Sequence, residues 1–401
     1  MSVPHPFHFE KKFNWSKWLM LVALFLVSFT MFYAMTLRPS SDISIHATWA
    51  AEGDFRDLTS FVHHGIHPLW HVIVSILLHM GMSLTVASAL VTALSKVVIA
   101  YVTYSLLAAA LRERFSQAFL TLITVCLMFV SALCVPSYNP TVYLGVGTPN
   151  TWHSCTQLLA LAFMVVCVPY TAWCYDTFTD RLSQEGGHTI LPWKQILLLG
   201  ALLFMSLMAK PSFMQAFLPA SCLYFLYQWI RHPKNSRYFL QVLLCVMPAI
   251  LFMIFQYLFY FEETFFQQDA GMVLELNLDK VLDTLIRTVL MMAFPIYSLF
   301  LCRKQKADTT LILTILFNLV AIAEMMLLGE SGLRAQDGNF GWGMMGASLM
   351  LWIICMIRFL RQADIRQWYK PDQLIAWGLL AYHLFSGVYY FCYLLSSGAS
   401  L

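Results

Sequence analysis

The stretch Trp18-Leu-Met-Leu-Val-Ala-Leu-Phe-Leu-Val-Ser-Phe-Thr-Met-Phe-Tyr-Ala-Met-Thr-Leu37 carries no charge and is long enough to cross a lipid bilayer. It is followed directly by Arg38-Pro-Ser-Ser-Asp42, so a carboxylate lies at the mouth of the first predicted span. No small-residue cleavage pattern of the Ala-x-Ala kind follows, which favours a retained span over a signal peptide. An acid in this position is a candidate catalytic base or ion ligand.

The composition of the whole chain is that of a membrane protein. Hydrophobic residues make up 59% of the 401 residues and charged residues only 11%, which no ordinary soluble domain shows. Apolar runs of membrane length recur along the chain, and the polar stretches between them are too short to fold alone. We therefore predict an all-α polytopic transmembrane helical bundle, with residues 1–401 forming a single integral membrane domain. The net charge of +3 gives no reason to expect nucleic acid as a partner.

The cysteines and histidines give no strong metal motif. The ten cysteines stand singly and no Cys-x-x-Cys pair occurs, which argues against thiolate metal sites and a disulfide framework. His63, His67 and His71 are spaced by four, but Gly65 and Pro68 interrupt the helix that would align them. We expect them to have a polar interfacial role. No cofactor is predicted, although the binding of a divalent metal ion is left open.

Lysine and arginine clusters set the predicted orientation, because they mark the cytoplasmic side of membrane proteins. Six basic regions are expected in the cytoplasm: residues 11–17, 112–114, 181–194, 231–237, 303–306 and 358–370. The segments between them are expected outside: residues 38–66, 136–152, 210–211, 261–283 and 329–340. The N-terminal residues 1–17 are then cytoplasmic. We expect the protein as a whole to lie in the inner (plasma) membrane of a cell.

The segment between His67 and Leu111 requires an odd number of crossings. We predict an interfacial or re-entrant helix over 67–82 and one long span over 84–111, separated at Gly81-Met-Ser83. The first external loop then covers 38–82 with interfacial helices, and 84–396 forms the rest of the bundle. The total is about eleven spans with an external C-terminus.

The external loop from Pro136 to His153 carries no acid or lysine but is dense in aromatic and amide side chains. Such a surface is suited to stacking on sugar rings, and an ordinary aromatic belt at the membrane interface is the alternative. The candidate substrate-binding residues in it are Tyr138, Tyr143, Asn150, Trp152 and His153.

Two cations are candidate ligands for a phosphate. Lys210 stands among apolar residues directly before Pro211, so it needs an anion or a water cavity unless it snorkels to the interface. Arg334 lies in the glycine-rich segment from Gly329 to Gly343, and its guanidinium suits phosphate oxygens. An ion pair between Glu330 and Arg334 is the alternative there. Glu330 and Asn339 are further candidate substrate ligands in the same segment.

The opening of the chain resembles a known family. Asp42, His46, Gly53-Asp-Phe55 and Gly65-Ile-His-Pro-Leu69, in this order after a first span, are similar to the opening of GT-C fold glycosyltransferases such as protein O-mannosyltransferases and aminoarabinose transferases. The resemblance covers about the first quarter of the chain. It departs from the family where Ile43 follows the acid, where His46 replaces an aromatic residue, and where His67-Pro-Leu69 replaces Pro-Pro-Leu. A looser likeness connects later segments with bacterial membrane proteins of surface-polysaccharide type.

The resemblance implies transfer of a sugar from a polyprenyl-phosphate donor to a glycan, lipid or protein acceptor on the periplasmic or outer face. In that reaction Asp42 would be the base, with Asp54 in reserve, and Lys210 and Arg334 would stabilise the leaving phosphate. His46 and the loop residues named above would contact the substrates.

Two other functions stay open. A polysaccharide polymerase or ligase would also use lipid-linked oligosaccharides, although such enzymes rely on more external arginines than this chain offers. A transporter or flippase of lipid-linked glycans would show paired broken helices, and the break at Lys210-Pro211 has no counterpart in the other half.

Overall fold

The structure of the chain is a computed structural model that describes residues 14–61, 67–138, 147–185, 189–261, 271–332, 338–363 and 369–396. Its regular structure within these residues is almost entirely helical. The α-helices are α1 (Trp15–Thr36), α2 (Asp42–Glu52), α3 (Leu69–His79), α4 (Leu84–Leu111), α5 (Gln117–Phe129), α6 (Cys155–Glu185), α7 (Trp193–Ala209), α8 (Ser212–Arg231), α9 (Ser236–Phe261), α10 (Leu278–Leu301), α11 (Thr309–Leu327), α12 (Gly341–Gln362) and α13 (Pro371–Ser396). Short 3-10 turns occur at Leu58–Phe61 and Pro233–Asn235.

Eight of the helices in the described part of the chain are long and apolar enough to cross a membrane. They are α1, α4, α6, α9, α10, α11, α12 and α13. Three shorter apolar helices, α3, α5 and α7, bring the number of apolar helices among these residues to eleven. The shorter ones have 11, 13 and 17 residues, less than the roughly 20 that a full crossing needs. The prediction of an all-α polytopic bundle is confirmed.

The segment from His67 to Leu111 folds as a short helix followed by a long one. Helix α3 ends at His79, and Gly81 adopts a positive φ of 91° that glycine accommodates without strain. Ser83 then caps α4, and its hydroxyl accepts a hydrogen bond from the Val86 amide. These helix bounds agree with the predicted division of the segment at Gly81.

Helices α6 and α12 form the centre of the bundle, and most of their side chains are buried on all faces. A helix that is apolar all round has no preferred solvent face, so it is stable only when other helices surround it. Helix α1 packs on α4, and α11 packs on both α8 and α12. The N-terminus of α6 is thereby placed among the ends of several other helices.

Helix α5 stops at Phe129, and an extended segment continues to Val135 within the bundle. Backbone groups in this position must be satisfied by protein, because lipid offers no hydrogen bonds. The Ser131 amide donates to the His383 carbonyl at 3.2 Å, and the Cys134 amide donates to the Ser386 hydroxyl at 3.1 Å. The His383 ring meets the Ser131 carbonyl oxygen at 2.6 Å. Helix α13 therefore holds the extended segment in place.

The turn between α1 and α2 fixes the start of α2. The Ser41 hydroxyl accepts a hydrogen bond from the Ser44 amide at 3.2 Å and donates to the Met35 carbonyl at 2.6 Å. Arg38 donates to the carbonyls of Leu394 and Leu395 at the end of α13. Asp42 is therefore the first residue of α2. The turn that precedes it is held against α1 by Ser41 and against α13 by Arg38.

A two-stranded antiparallel sheet joins distant parts of the chain. Strand β1 (Met272–Leu274) pairs with β2 (Leu328–Glu330), which directly follows α11. The register places Met272 opposite Glu330. The sheet therefore holds Glu330 next to the start of the segment that leads to α12.

Candidate active site

Asp42 lies in an enclosed position at the N-terminus of α2. Protein surrounds its carboxylate, yet 34% of the side-chain surface is accessible, which places it on the wall of a cleft and not in solid core. Its Oδ2 atom is buried and makes no hydrogen bond with the described residues. Burial raises the pKa of Asp42 above its usual value, and the nearby Lys210 ammonium opposes this rise. The carboxyl of Asp42 therefore holds its proton more readily than a solvent-exposed aspartate does.

Two histidines adjoin Asp42. The Nε2 atom of His46, one helical turn along α2, lies 3.6 Å from Asp42 Oδ1. The Nδ1 atom of His46 lies 2.9 Å from Nε2 of His71 on α3, so one of these rings donates to the other. Burial lowers the pKa of His46 to about 3, and the Lys210 charge adds to this effect. His46 is therefore neutral at physiological pH.

Lys210 reaches the same cleft from the break between α7 and α8. Its backbone is extended, with φ −170° and ψ 135°, because Pro211 follows it and prevents the helix from continuing. The ammonium lies 3.8 Å above the ring centroid of Trp342, a cation–π contact that holds it in place. Burial lowers the pKa of Lys210 to about 8, and attraction to Asp42 opposes this shift. Lys210 is a cation held close to a carboxylate at the end of membrane helices.

A chain of hydrogen bonds supports Trp342 from behind. The Ser212 hydroxyl donates to Gln157 Oε1 at 2.8 Å, and Gln157 Nε2 donates to the Trp342 carbonyl at 3.2 Å. A Cβ atom at the next residue, Gly343, would lie 3.1 Å from the Ser212 carbonyl oxygen and 3.5 Å from Glu324 Oε2. Helices α6, α8, α11 and α12 therefore meet directly beneath Lys210, and α11 contributes a second carboxylate there.

Some side chains of the loop before α6 face this cleft, and others face the core. His153 faces the cleft: its ring centroid lies 5.4 Å from that of Trp342, and its Nδ1 lies 2.8 Å from the Tyr390 hydroxyl. Burial, together with the Lys210 charge, lowers the pKa of His153 well below its usual value. Asn150 and Trp152 are turned towards the buried Lys96.

Lys96 on α4 holds this loop in place. Its ammonium donates to Asn150 Oδ1 at 2.7 Å and lies 4.3 Å above the ring centroid of Trp152. The Asn150 amide nitrogen in turn donates to the carbonyls of Leu127 and Val130 at 2.7 and 2.9 Å. Asn150 and Trp152 thus connect the loop to the end of α5, and their role in substrate binding stays a prediction.

Other candidates lie away from Asp42 or outside the described residues. Asp54 follows the far end of α2, about 15 Å or more from Asp42 by the rise of the helix, and accepts a hydrogen bond from the Arg56 amide. Tyr138 is exposed and donates to Asp283. Glu330 is buried and accepts a hydrogen bond from Asn339 at 2.8 Å. Tyr143 and Arg334 lie outside the described residues.

The sequence predicted no catalytic or ligand-binding role for several residues of the cleft. His71 was noted only within the series His63, His67 and His71, whereas in the structure it pairs with His46. Cys155, the first residue of α6, lies beside Asp42 and His46. Trp342 gave no signal beyond its glycine-rich surroundings. The partners of these residues are distant in sequence, so no local spacing could identify them.

No protein-family model matches this chain, and no curated protein matches it. Its fold is similar to that of ArnT from Cupriavidus metallidurans, whose crystal structure is bound to undecaprenyl phosphate, with 13% sequence identity and a TM-score of 0.48. The match covers 92% of this chain and 64% of ArnT, so the chain spans less than two thirds of the length of that protein. At this level of similarity, the function proposed below rests on the residues of this chain.

Proposed function

We propose that the protein is a membrane glycosyltransferase that moves a sugar from a polyprenyl-phosphate donor to an acceptor in the cell envelope. The observation that carries the proposal is the enclosed pair of Asp42 and Lys210 at one end of the membrane helices. A glycosyl transfer requires one group to take the proton of the acceptor and another to stabilise the phosphate that leaves. The two residues meet these requirements within one cleft.

In the proposed reaction, the bond from the anomeric carbon to the phosphate oxygen breaks and a bond to the acceptor oxygen forms. Asp42 takes the acceptor proton, and its raised pKa favours that role because a more basic carboxylate is a better proton acceptor. The phosphate leaves with the electron pair of the broken bond, and Lys210 stabilises its negative charge. The contact with Trp342 positions the ammonium before the donor arrives.

An apolar groove near Lys210 supports the choice of a lipid-linked donor. A cavity of about 290 Å³ lies among α6, α7, α8 and α9 and is lined almost wholly by apolar side chains, among them Leu203, Met214, Phe217, Phe225 and Ile250. Met214 belongs to the first turn of α8, four residues beyond Lys210. An isoprenoid chain would fit such a groove while its phosphate reaches the ammonium.

We place the cleft on the external face, in the inner (plasma) membrane. Helices α8 and α12 start beside the cleft, and each carries a basic residue in its last turn, Arg231 and Arg361, as expected for cytoplasmic ends. Arg334, which follows β2, stays a predicted second ligand of the phosphate. The sugar, and the glycan, lipid or protein that accepts it, are left open.

The proposal is tested by sugar transfer from polyprenyl-phosphate donors in membranes that contain the full chain. The assay uses a panel of radiolabelled polyprenyl-phosphate sugars and measures the release of polyprenyl phosphate. Asp42→Asn should lower transfer about 100-fold or more, because the amide cannot accept the proton. Glu52→Gln, which changes an exposed carboxylate on the same helix, should retain it. Asp54→Asn is measured in parallel to separate the two candidate bases.

Full transfer by Asp42→Asn, at normal protein levels in the membrane, would remove Asp42 as the base. If Asp54→Asn loses sugar transfer and Asp42→Asn retains it, Asp54 is the base. If the wild-type protein releases polyprenyl phosphate from none of the donors, the proposed reaction is contradicted.

A further inference from the structure

Asp42 and two neighbouring side chains form a set of three groups with metal-binding chemistry. One carboxylate oxygen of Asp42, one ring nitrogen of His46 and the Cys155 sulfur all lie within 4.8 Å of one another. Asp42 and His46 come from successive turns of α2, whereas Cys155 begins α6. We propose that these three residues form a binding site for a transition metal ion of the Zn²⁺ class.

The measured spacing suits such an ion. Zinc bonds of about 2.0–2.3 Å in a tetrahedral arrangement place two donor atoms about 3.3–3.7 Å apart. Asp42 Oδ1 and His46 Nε2 are 3.6 Å apart. That separation is too long for a good N–H···O hydrogen bond, but it is close to the distance between two donor atoms of a tetrahedral zinc site. The Cys155 sulfur lies within 4.8 Å of both of these ligand atoms.

The kinds of donor atom select among metals. Mg²⁺ and Ca²⁺ take oxygen ligands, whereas thiolate and imidazole favour Zn²⁺ and its neighbours in the first transition series. Three protein ligands leave a fourth position for water or a substrate oxygen, as in catalytic zinc sites. Mixed carboxylate, imidazole and thiolate donors therefore point to Zn²⁺ with an open position.

The surroundings of His46 support the same assignment. A ligating histidine normally uses its second ring nitrogen in a hydrogen bond that fixes the ring. The Nδ1 atom of His46 lies 2.9 Å from His71 Nε2, which leaves Nε2 directed towards Asp42. Trp49 contacts the same ring edge-on at 4.8 Å between centroids. The imidazole is thus held with one nitrogen towards the proposed ion.

The positive charge of Lys210 opposes binding of the metal ion. Its ammonium interacts electrostatically with all three proposed ligands, and a positive charge at this distance repels a cation. Lys210 therefore weakens metal binding in the protein as it stands. Removing the charge should tighten the site, an effect opposite to that of removing a ligand.

The test uses the purified full-length protein in detergent, stripped of metal by chelation and titrated with Co²⁺, which reports its ligands by absorption. The wild-type protein should bind about one Co²⁺ per chain, with a near-ultraviolet charge-transfer band from the thiolate. Cys155→Ser should remove that band. Cys167→Ser, which changes another buried cysteine of α6, should leave it unchanged. Competition with Zn²⁺ then gives the affinity.

Further variants keep the result interpretable. Asp42→Asn and His46→Gln should each weaken Zn²⁺ binding about tenfold or more, whereas Lys210→Met should strengthen it several-fold. Cys155→Asp retains a ligand and should bind Co²⁺ without the thiolate band. Thermal unfolding of each variant without metal identifies any that fail to fold, and Lys210→Met tests the site without altering a ligand.

Absence of the thiolate band in the wild-type protein, or its persistence in Cys155→Ser, would overturn the proposal. The same conclusion would follow if Zn²⁺ bound equally well to the wild type and to Asp42→Asn, since the ion would then lie elsewhere. These measurements read metal binding directly, so they are independent of whether the protein transfers a sugar.

Discussion

At the scale of single residues, the properties of Lys210 follow from its enclosure. An exposed lysine is fully charged at neutral pH, but burial lowers the pKa of Lys210 to about 8. Asp42 on one side and Trp342 on the other keep the ammonium in place. A phosphate that enters the cleft would find a cation that is only partly neutralised by its neighbours.

This enclosure gives a dependence of phosphate binding on pH. Lys210 is charged below about pH 8 and loses its charge as the pH rises through that value, so binding of undecaprenyl phosphate should weaken above about pH 8. Lys210→Arg stays charged because the guanidinium titrates far higher, and it should retain binding to higher pH. Binding is measured by native mass spectrometry or by thermal stabilisation in detergent across the pH range.

Lys194→Arg, at the exposed start of α7, serves as the control and should follow the wild-type profile. Parallel weakening of the wild type and Lys210→Arg would show that Lys210 does not set the pH dependence.

At the scale of elements, the contact of α13 with the end of α5 depends on a glycine. A Cβ atom at Gly387 would lie 1.5 Å from the Phe129 carbonyl oxygen and 2.7 Å from its carbonyl carbon. Both are backbone atoms, which cannot rotate away as a side chain would. The absence of a side chain therefore allows α13 to approach the extended segment that His383 and Ser386 hold.

Gly387→Ala should accordingly destabilise the bundle by about 1–3 kcal/mol or more, the range found when a packed interior is overfilled. Gly378→Ala lies on the same helix, and a Cβ atom there would meet nothing within 4 Å. It should be neutral or slightly stabilising, since alanine favours a helix over glycine. Thermal unfolding in detergent measures both variants, and equal melting temperatures would contradict the proposed close contact.

At the scale of the whole molecule, one face should carry the cleft and the other the basic clusters. Tyr138, which is exposed after the extended segment, belongs to the first face, and Lys304, between α10 and α11, belongs to the second. In a background in which the exposed Cys222 and Cys392 are replaced by serine, Tyr138→Cys should react with an impermeant thiol reagent in intact cells. Lys304→Cys should react only after lysis.

The reverse pattern of labelling would invert the orientation and place the cleft in the cytoplasm. Labelling of both cysteines in intact cells would show that the cells were leaky, which the serine background without added cysteines controls. The assay requires no knowledge of the substrate.

The sequence by itself determined the class of the protein and the principal charges of its cleft. Apolar runs of membrane length are a local property, because each helix satisfies its own backbone in lipid. Asp42 after the first run and Lys210 before Pro211 could be identified for the same reason: a charge within an apolar context is costly and needs an explanation. Even the division between α3 and α4 followed from the local break at Gly81.

Only the tertiary structure decided which of these residues meet. Asp42, His71, Cys155, Lys210 and Trp342 come from separate helices and the breaks between them, and no periodicity relates positions so far apart in the chain. The tertiary structure also decided that Asn150 and Trp152 contact Lys96. It further showed that Asp54 lies far from Asp42. Side chains in a bundle are brought together by helix packing, and packing is a property of all the helices at once.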